Sequence, residues 1–436
     1  MQDPREASLQ ADDLGRRLNA VITVDPDGLA GKLDGVPLLV KDCIAARGMP
    51  VTYGSAIEAQ SAPVSEDAFV VSRAREAGFA IIGKASLTEY CFGATGENAH
   101  FGNVRNPWDP DRITGGSSSG SAAAVAAGIV PCALGTDTGG SVRVPASLCG
   151  VVGLRPTIGR VSNHGCLDVS SAYDTIGPIA QDVETAARLY DAIQGYDPRD
   201  PLSIPAGESA CARINGGVSG LTVGVLRPYY CDESDPAVVA AFENAVSALK
   251  DAGAETVDAA LGTVEERREQ GAIRFIAADV ADARSDLRLH RRDEVGAEFL
   301  RRLDVGAAVT GTEYARSFRS LLTLRRQLRD LFESGIDVLV TPTCPVTAPL
   351  WSDATDMIAT TRLVARFTYD IGAAGVPALQ VPIALDPKGM PIGMQLIGAW
   401  GEDALLFQAA RAIEEAMNFK RHRPTINVTT SDQLFE

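Results

Sequence analysis

Residues 115–150 constrain this chain more than any other stretch. They read GGSSSGSAAAVAAG over 115–128 and GTDTGGSVRVPASLCG over 135–150. Small residues dominate both blocks. A helix over 121–127 therefore has almost no side-chain bulk, and its backbone can lie close against a sheet. A flexible Gly/Ser linker is the alternative for 115–120, but the flank on its C-terminal side is apolar and reads as ordered. Each block carries a Gly-Gly-Ser corner, ending at Ser117 and Ser141. A turn with two glycines before Ser141 can aim consecutive backbone N–H groups at one point, as an oxyanion requires. Asp137 and Arg143 flank that turn and are expected to pair and brace it rather than to act in chemistry.

Upstream, Lys41 closes the apolar run VPLLVKD. A strand-end lysine ordinarily reaches solvent. If it is buried, its ammonium releases a proton more readily, and the neutral amine can serve as a base. A serine nucleophile, a second serine to pass the proton and a desolvated lysine to receive it would form a hydrolytic site without histidine.

The remaining pattern alternates strands and helices. Strands are expected at 36–40, 79–84, 221–225 and 338–342, with a hairpin over 378–397 turning at 386–389. Helices are expected at 67–77, at 182–193 with Asp182 as cap, from Asp235-Pro236 to 253, and at 402–417. A charged, mostly helical section runs from 265 to about 332. The passage 197–205 (DPRDPLSIP) reads as a surface loop inside one domain. The formal charge is −16 over 436 residues, which repels phosphate backbones and anionic lipid. The N-terminus has no apolar core, so no signal peptide is expected. No window approaches the roughly 18 apolar residues of a spanning helix; 122–135 comes nearest and carries Gly128 and Pro131. A cytoplasmic protein is expected, with no nucleic-acid or membrane partner. The eight cysteines lack CxxC or CxxH spacing and read as reduced thiols rather than as a zinc site. Cys91, Cys166 and Cys344 are expected near the pocket.

Two motif matches fail on context. GFAIIGKA at 78–85 lacks the hydroxyl that closes a phosphate loop, and its centre is a strand-like apolar run. Ser118 centres a GxSxG, but the preceding NPWDPDRI makes a poor strand for a nucleophile elbow.

In order along the chain, GVPLLVKD, GKASLTEY, FGNVRNPWDPDRITGGSSSGSAAAVAAG, GTDTGGSVRVPASLCGVVGLRPTIGRVS, YDTIGP, TPTCP and PIGMQLIG resemble the amidase signature family. The resemblance covers about residues 33–417 and is densest over 35–178. It implies an α/β fold with a single large mixed β-sheet and helices on both faces. It also implies one domain over 1–436, with a signature core at about 35–180 and a helical pocket section at about 263–332. By the same resemblance Ser141 is the nucleophile, Ser117 the bridging serine with a cis peptide bond from Gly116, and Lys41 the base. The backbone N–H groups of Thr138, Gly139, Gly140 and Ser141 form the oxyanion hole, with Ser118, Asp137 and Arg143 in support. No metal or organic cofactor is implied.

The expected activity is serine-dependent hydrolysis of an amide, carbamate or ureide C–N bond through an acyl-enzyme. Esterase or urethanase activity and a homodimer are left open. The alternative is the glutaminase component of a glutamyl/aspartyl-tRNA amidotransferase. That component usually has glutamine after the arginine of the nucleophile block, where this chain has Val144. Val144 is expected to make the acyl pocket less polar.

Overall fold

The computed structural model describes residues 2–262 and 271–426. Its frame is one mixed sheet of 11 strands. In chain order these are β1 (Val21–Val24), β2 (Val36–Lys41), β3 (Phe79–Ala85), β4 (Cys132–Asp137), β5 (Val152–Arg155), β6 (Thr175–Ala180), β7 (Thr222–Leu226), β8 (Glu255–Ala259), β9 (Val338–Pro342), β10 (Ala378–Leu385) and β11 (Pro391–Gly398). Across the sheet they run β1-β3-β2-β4-β6-β5-β10-β11-β9-β7-β8. β2 is parallel to both β3 and β4, and β7 is parallel to β8 and β9. The other pairs are antiparallel.

Strand alternation explains the layers. Successive side chains point to opposite faces, so a strand buried on both sides feeds two cores. Leu38, Val40, Ile81 and Leu134 join one core with Val183, Ala186 and Ala187 of the helix Val183–Ile193. Leu39, Ile82, Ala133 and Ile179 join the other with Ala122, Ala123 and Val125 of the helix Ser119–Ala126. Helices therefore cover both faces. The near-continuous apolar reading of β2 and β3 is what burial on two sides demands.

The small-residue helix does approach the sheet closely. A Cβ at Gly120 would lie 2.3 Å from the Ala20 carbonyl oxygen and 2.4 Å from the Ser86 nitrogen. The stretch 78–85 is no phosphate loop: β3 is buried along its length. Lys84, within it, is ion-paired at 2.8 Å with Asp42, both side chains fully buried.

Most expected elements are present, with shifted ends. Asp182 caps its helix by accepting from Thr185 N at 2.8 Å. Asp235 stands at the N-cap of the helix Pro236–Asp251, but its side chain makes no capping bond. The strands β1, β4, β5, β6 and β8 have no counterpart among the expected ones. β1 is only four residues long. β4, β5 and β6 contain CALGTD, VGLR and TIGPIA, where glycine, proline and small residues hide any β-branched signature. β8 is an edge strand with a polar face. The charged section 265–332 forms the helices Ile273–Ala283, Ser285–His290, Ala297–Ala307 and Gly311–Glu333; 263–270 lie outside the described residues. Among the described residues, no helix is long and apolar enough to cross a membrane.

Replacing Gly120 by alanine forces backbone to move against backbone. Gly120→Ala should destabilise the fold by about 1–3 kcal/mol, read from urea unfolding against the unsubstituted protein.

Candidate active site

β2 and β4 run parallel as neighbours, with Val40 opposite Leu134. Their C-terminal ends therefore emerge at the same edge of the sheet, the usual place for a ligand beside parallel strands. Lys41 closes β2 there, and Thr136 and Asp137 close β4. The loop before the helix Ser119–Ala126 brings Ser117 to the same point, through a cis peptide bond between Gly116 and Ser117.

Lys41 is 0% exposed. Its Nζ donates to Ser117 Oγ at 2.8 Å and to Thr136 Oγ1 at 2.7 Å. Among the described residues, no carboxylate lies within ion-pair reach of it. The adjacent Asp42 is turned to the other buried lysine, Lys84, at 2.8 Å, and accepts from Thr52 Oγ1 and Thr52 N. Thr136 does not stand out in the sequence, because a threonine inside a strand is ordinary. Its role is visible only once β2 and β4 are paired.

The turn carrying Ser141 is organised by Asp137. Gly140 N donates to Asp137 Oδ1 at 2.7 Å, and Val142 N to Oδ2 at 3.3 Å. Arg143 meets the same carboxylate in a fork, Nε to Oδ2 and Nη2 to Oδ1, each at 2.9 Å. Arg155 Nη1 reaches Oδ1 at 3.2 Å. All three charged side chains are fully buried. Burial alone would push the Asp137 carboxyl up; the guanidinium groups of Arg143 and then Arg155 outweigh it and hold the carboxyl well below the usual range.

This geometry alters one expected role. The N–H of Gly140 is committed to Asp137, so it braces the turn instead of facing an oxyanion. The N–H groups of Thr138, Gly139 and Ser141 have no acceptor among the described residues. Gly140 has φ +130°, and a Cβ there would lie 2.1 Å from Thr368 Oγ1; only glycine suits both demands. Arg143 is fully buried; its Nη1 also donates to Gln395 Oε1 at 2.6 Å, and it does not line the Ser141 pocket. Ser118 joins the two serine loops: its N donates to Ser141 O at 3.2 Å, and its Oγ lies 3.2 Å from both Thr136 O and Thr136 N.

Ser141 opens onto a pocket of about 30 Å³ lined by the turn 138–141 and by Cys91, Phe92, Val169, Ile276 and Tyr369 among others. The pocket wall is largely apolar, but Val144 is not the cause. Val144 is buried with Ala94, Ile113 and Leu148 and does not line the pocket. Of the three cysteines expected nearby, only Cys91 lines it. Cys344 lies in the same core cluster as Val144, and Cys166 lines a separate surface pocket with His164 and Arg199. Burial pushes the Cys91 thiol well up, which disfavours the thiolate that a cysteine nucleophile needs. Among the described residues, no group of histidine, cysteine and carboxylate side chains could hold a metal ion.

Removing the carboxylate would strand two buried guanidinium groups. Asp137→Asn should lower stability at neutral pH by about 3–5 kcal/mol, measured by urea unfolding. The Asp137 carboxyl is depressed below its unfolded value of roughly 4. Its stabilisation is therefore complete above that value and is lost as pH falls through the acid range. The variant should lack this component of the acid-induced loss of stability.

The Amidase family profile matches residues 4–407. A glutamyl-tRNA(Gln) amidotransferase subunit from Chloroflexus aurantiacus is 36% identical over 421 residues, spanning 91% of this chain and 86% of that protein. The structure of the corresponding subunit from Thermotoga maritima superposes with a TM-score of 0.84 at 33% identity, covering 98% of this chain and 94% of that one. A 6-aminohexanoate cyclic dimer hydrolase in complex with substrate superposes with a TM-score of 0.86 at 31% identity, covering 97% and 95%. A profile match over nearly the whole length, together with relatives of this similarity and coverage, shows that the chain belongs to the amidase signature family.

Proposed function

We propose that this chain hydrolyses an amide-type C–N bond through an acyl-enzyme on Ser141. The observation that carries the reading is the buried Lys41 nitrogen, held between the hydroxyls of Ser117 and Thr136 at 2.8 and 2.7 Å, with no carboxylate beside it among the described residues. Held in this way, the amine form of Lys41 takes a proton from Ser117 Oγ, which takes one from the Ser141 hydroxyl. Ser141 Oγ then attacks the carbonyl carbon. The oxyanion faces the N–H groups of Thr138, Gly139 and Ser141, the donors that Asp137 leaves unengaged. The relay returns the proton to the leaving nitrogen as the C–N bond breaks. Water attacks the resulting ester by the same route and releases the acid. Carbamates and aryl esters would use the same acyl-transfer path.

The apolar lining of the Ser141 pocket favours a free-standing hydrolase of an amide with an uncharged acyl group. The Chloroflexus and Thermotoga relatives favour a second reading, in which the chain releases ammonia from glutamine as one component of a larger complex. The two differ in a direct assay. Hydrolysis of 4-nitroacetanilide by the lone chain, with no ammonia from glutamine, would support the first. Glutamine hydrolysis that rises on addition of the other amidotransferase components would support the second.

Ser141→Ala and Lys41→Ala should each lower turnover by at least about 10³-fold, with unfolding transitions close to wild type. Thr136→Val removes one of two hydroxyl partners of Lys41 and should lower kcat by about 10-fold. Wild-type kcat in Ser141→Ala, followed by release of the coloured amine, would overturn the nucleophile assignment.

A further inference from the structure

Three spaces that share wall residues lie at and beside the Ser141 turn. The first, of about 30 Å³, has Phe92, Ile276 and Tyr369 in its wall. The next, of about 80 Å³, is lined largely by apolar side chains, including Phe92, Ile273, Val305 and Ile358, with Tyr369 again present. The third, of about 460 Å³, carries charged side chains, Glu233, Arg274, Arg362 and Arg366, alongside Tyr369. Tyr369 and Ile273 are common to all three walls, and Phe92 joins them in the first two; of these, only Tyr369 carries a polar group.

The ring of Tyr369 lies against the turn that carries Ser141. A Cβ built on Gly139 would come within 2.3 Å of Tyr369 Cδ1. The same turn anchors it. Thr368 Oγ1 donates to Gly139 O at 2.8 Å, and Arg143 Nη2 donates to Thr368 O at 3.1 Å. Tyr369 then opens the short helix Tyr369–Ala374, so its ring is fixed relative to the turn. Among the described residues, no hydrogen bond engages its hydroxyl. Burial raises the phenol to about 12, so the group keeps its proton and remains a donor at neutral pH. A half-buried phenol in a pocket wall ordinarily finds an acceptor, and here the described residues supply none.

Resting on the serine-amidase reading, we infer that Tyr369 is the specificity-determining residue of this site. Its ring forms the waist that the acyl portion of the substrate passes, and its hydroxyl donates to a second carbonyl-type oxygen carried by that portion. The substrate class is then an amide with an apolar acyl group and a further carbonyl a few bonds from the scissile one. The apolar group lies in the 80 Å³ space beyond the waist, and the second carbonyl meets the phenol donor for which the described residues offer no acceptor.

The test separates binding from turnover. N-acetyl-leucinamide carries the second carbonyl, and 4-methylpentanamide has a similar apolar chain without it. Both are titrated by calorimetry into Ser141→Ala protein, with and without Tyr369→Phe. Tyr369→Phe keeps the ring and should weaken binding of N-acetyl-leucinamide by about 3–10-fold, the size of one neutral hydrogen bond, while leaving 4-methylpentanamide within about twofold. Equal effects on both amides, no effect on either, or no binding of N-acetyl-leucinamide at millimolar concentration would overturn the inference. In the protein with Ser141 intact, Tyr369→Ala removes the waist. It should raise the rate with the 4-nitroanilide of a bulky acyl group, such as 2-naphthoyl, relative to the acetyl compound; an unchanged ratio also counts against the inference. Turnover that survives Ser141→Ala would instead defeat the serine-amidase reading, independently of how Tyr369 behaves.

Discussion

One buried carboxylate organises this site. Asp137 sits between Arg143 and Arg155, and taking three charges out of water is costly unless their hydrogen bonds are satisfied. Here the pairing is close: a two-pronged contact from Arg143, a third from Arg155, and backbone donors from Gly140 and Val142. The consequence is directional. By drawing the Gly140 N–H toward itself, Asp137 sets the path of the turn, and the N–H groups of Thr138, Gly139 and Ser141 are left without acceptors among the described residues. Arg143 carries the constraint further, to Gln395 on β11 and to the carbonyl of Thr368. The turn carrying Ser141, a strand from the far part of the sheet and the pocket wall are thereby held as one unit.

The two buried lysines differ in the partners they meet. Lys84 and Lys41 stand on neighbouring parallel strands, and neither is exposed. Lys84 has the carboxylate of Asp42 at 2.8 Å, a buried ion pair that ties β3 to the end of β2. Lys41 has two hydroxyls and, among the described residues, no carboxylate partner. Asp42 follows Lys41 directly in the chain, yet its side chain serves the neighbouring strand. Sequence adjacency is therefore a poor guide to electrostatic pairing at a strand end.

The readability of this chain follows the same division. Helices with strong caps and strands with branched apolar runs, such as 182–193 and 338–342, are plain in the pattern because local geometry produces the period. β4, β5 and β6 are not. Their glycines, prolines and small side chains carry no period, and they are strands because neighbours on both sides supply hydrogen bonds and cover. The three positions Lys41, Ser117 and Ser141 stand in ordered motifs and can be named from them. Thr136 cannot. Val144 sits three residues from Ser141 in the chain, yet the pocket wall belongs to Val169, Ile276 and Tyr369, side chains brought in by distant segments.

The sequence by itself determined which small-residue turns and which lysine were available, since only glycine tolerates φ +130° at Gly140 and only a bulk-free helix lets backbone meet backbone at Gly120. Those are steric limits written into single residues. Tertiary structure alone decided which donors remain unengaged, which lysine lacks a counter-charge and what lines the pocket. Each of these depends on groups far apart in the chain, and hydrogen-bond and charge satisfaction is a property of the assembled surroundings.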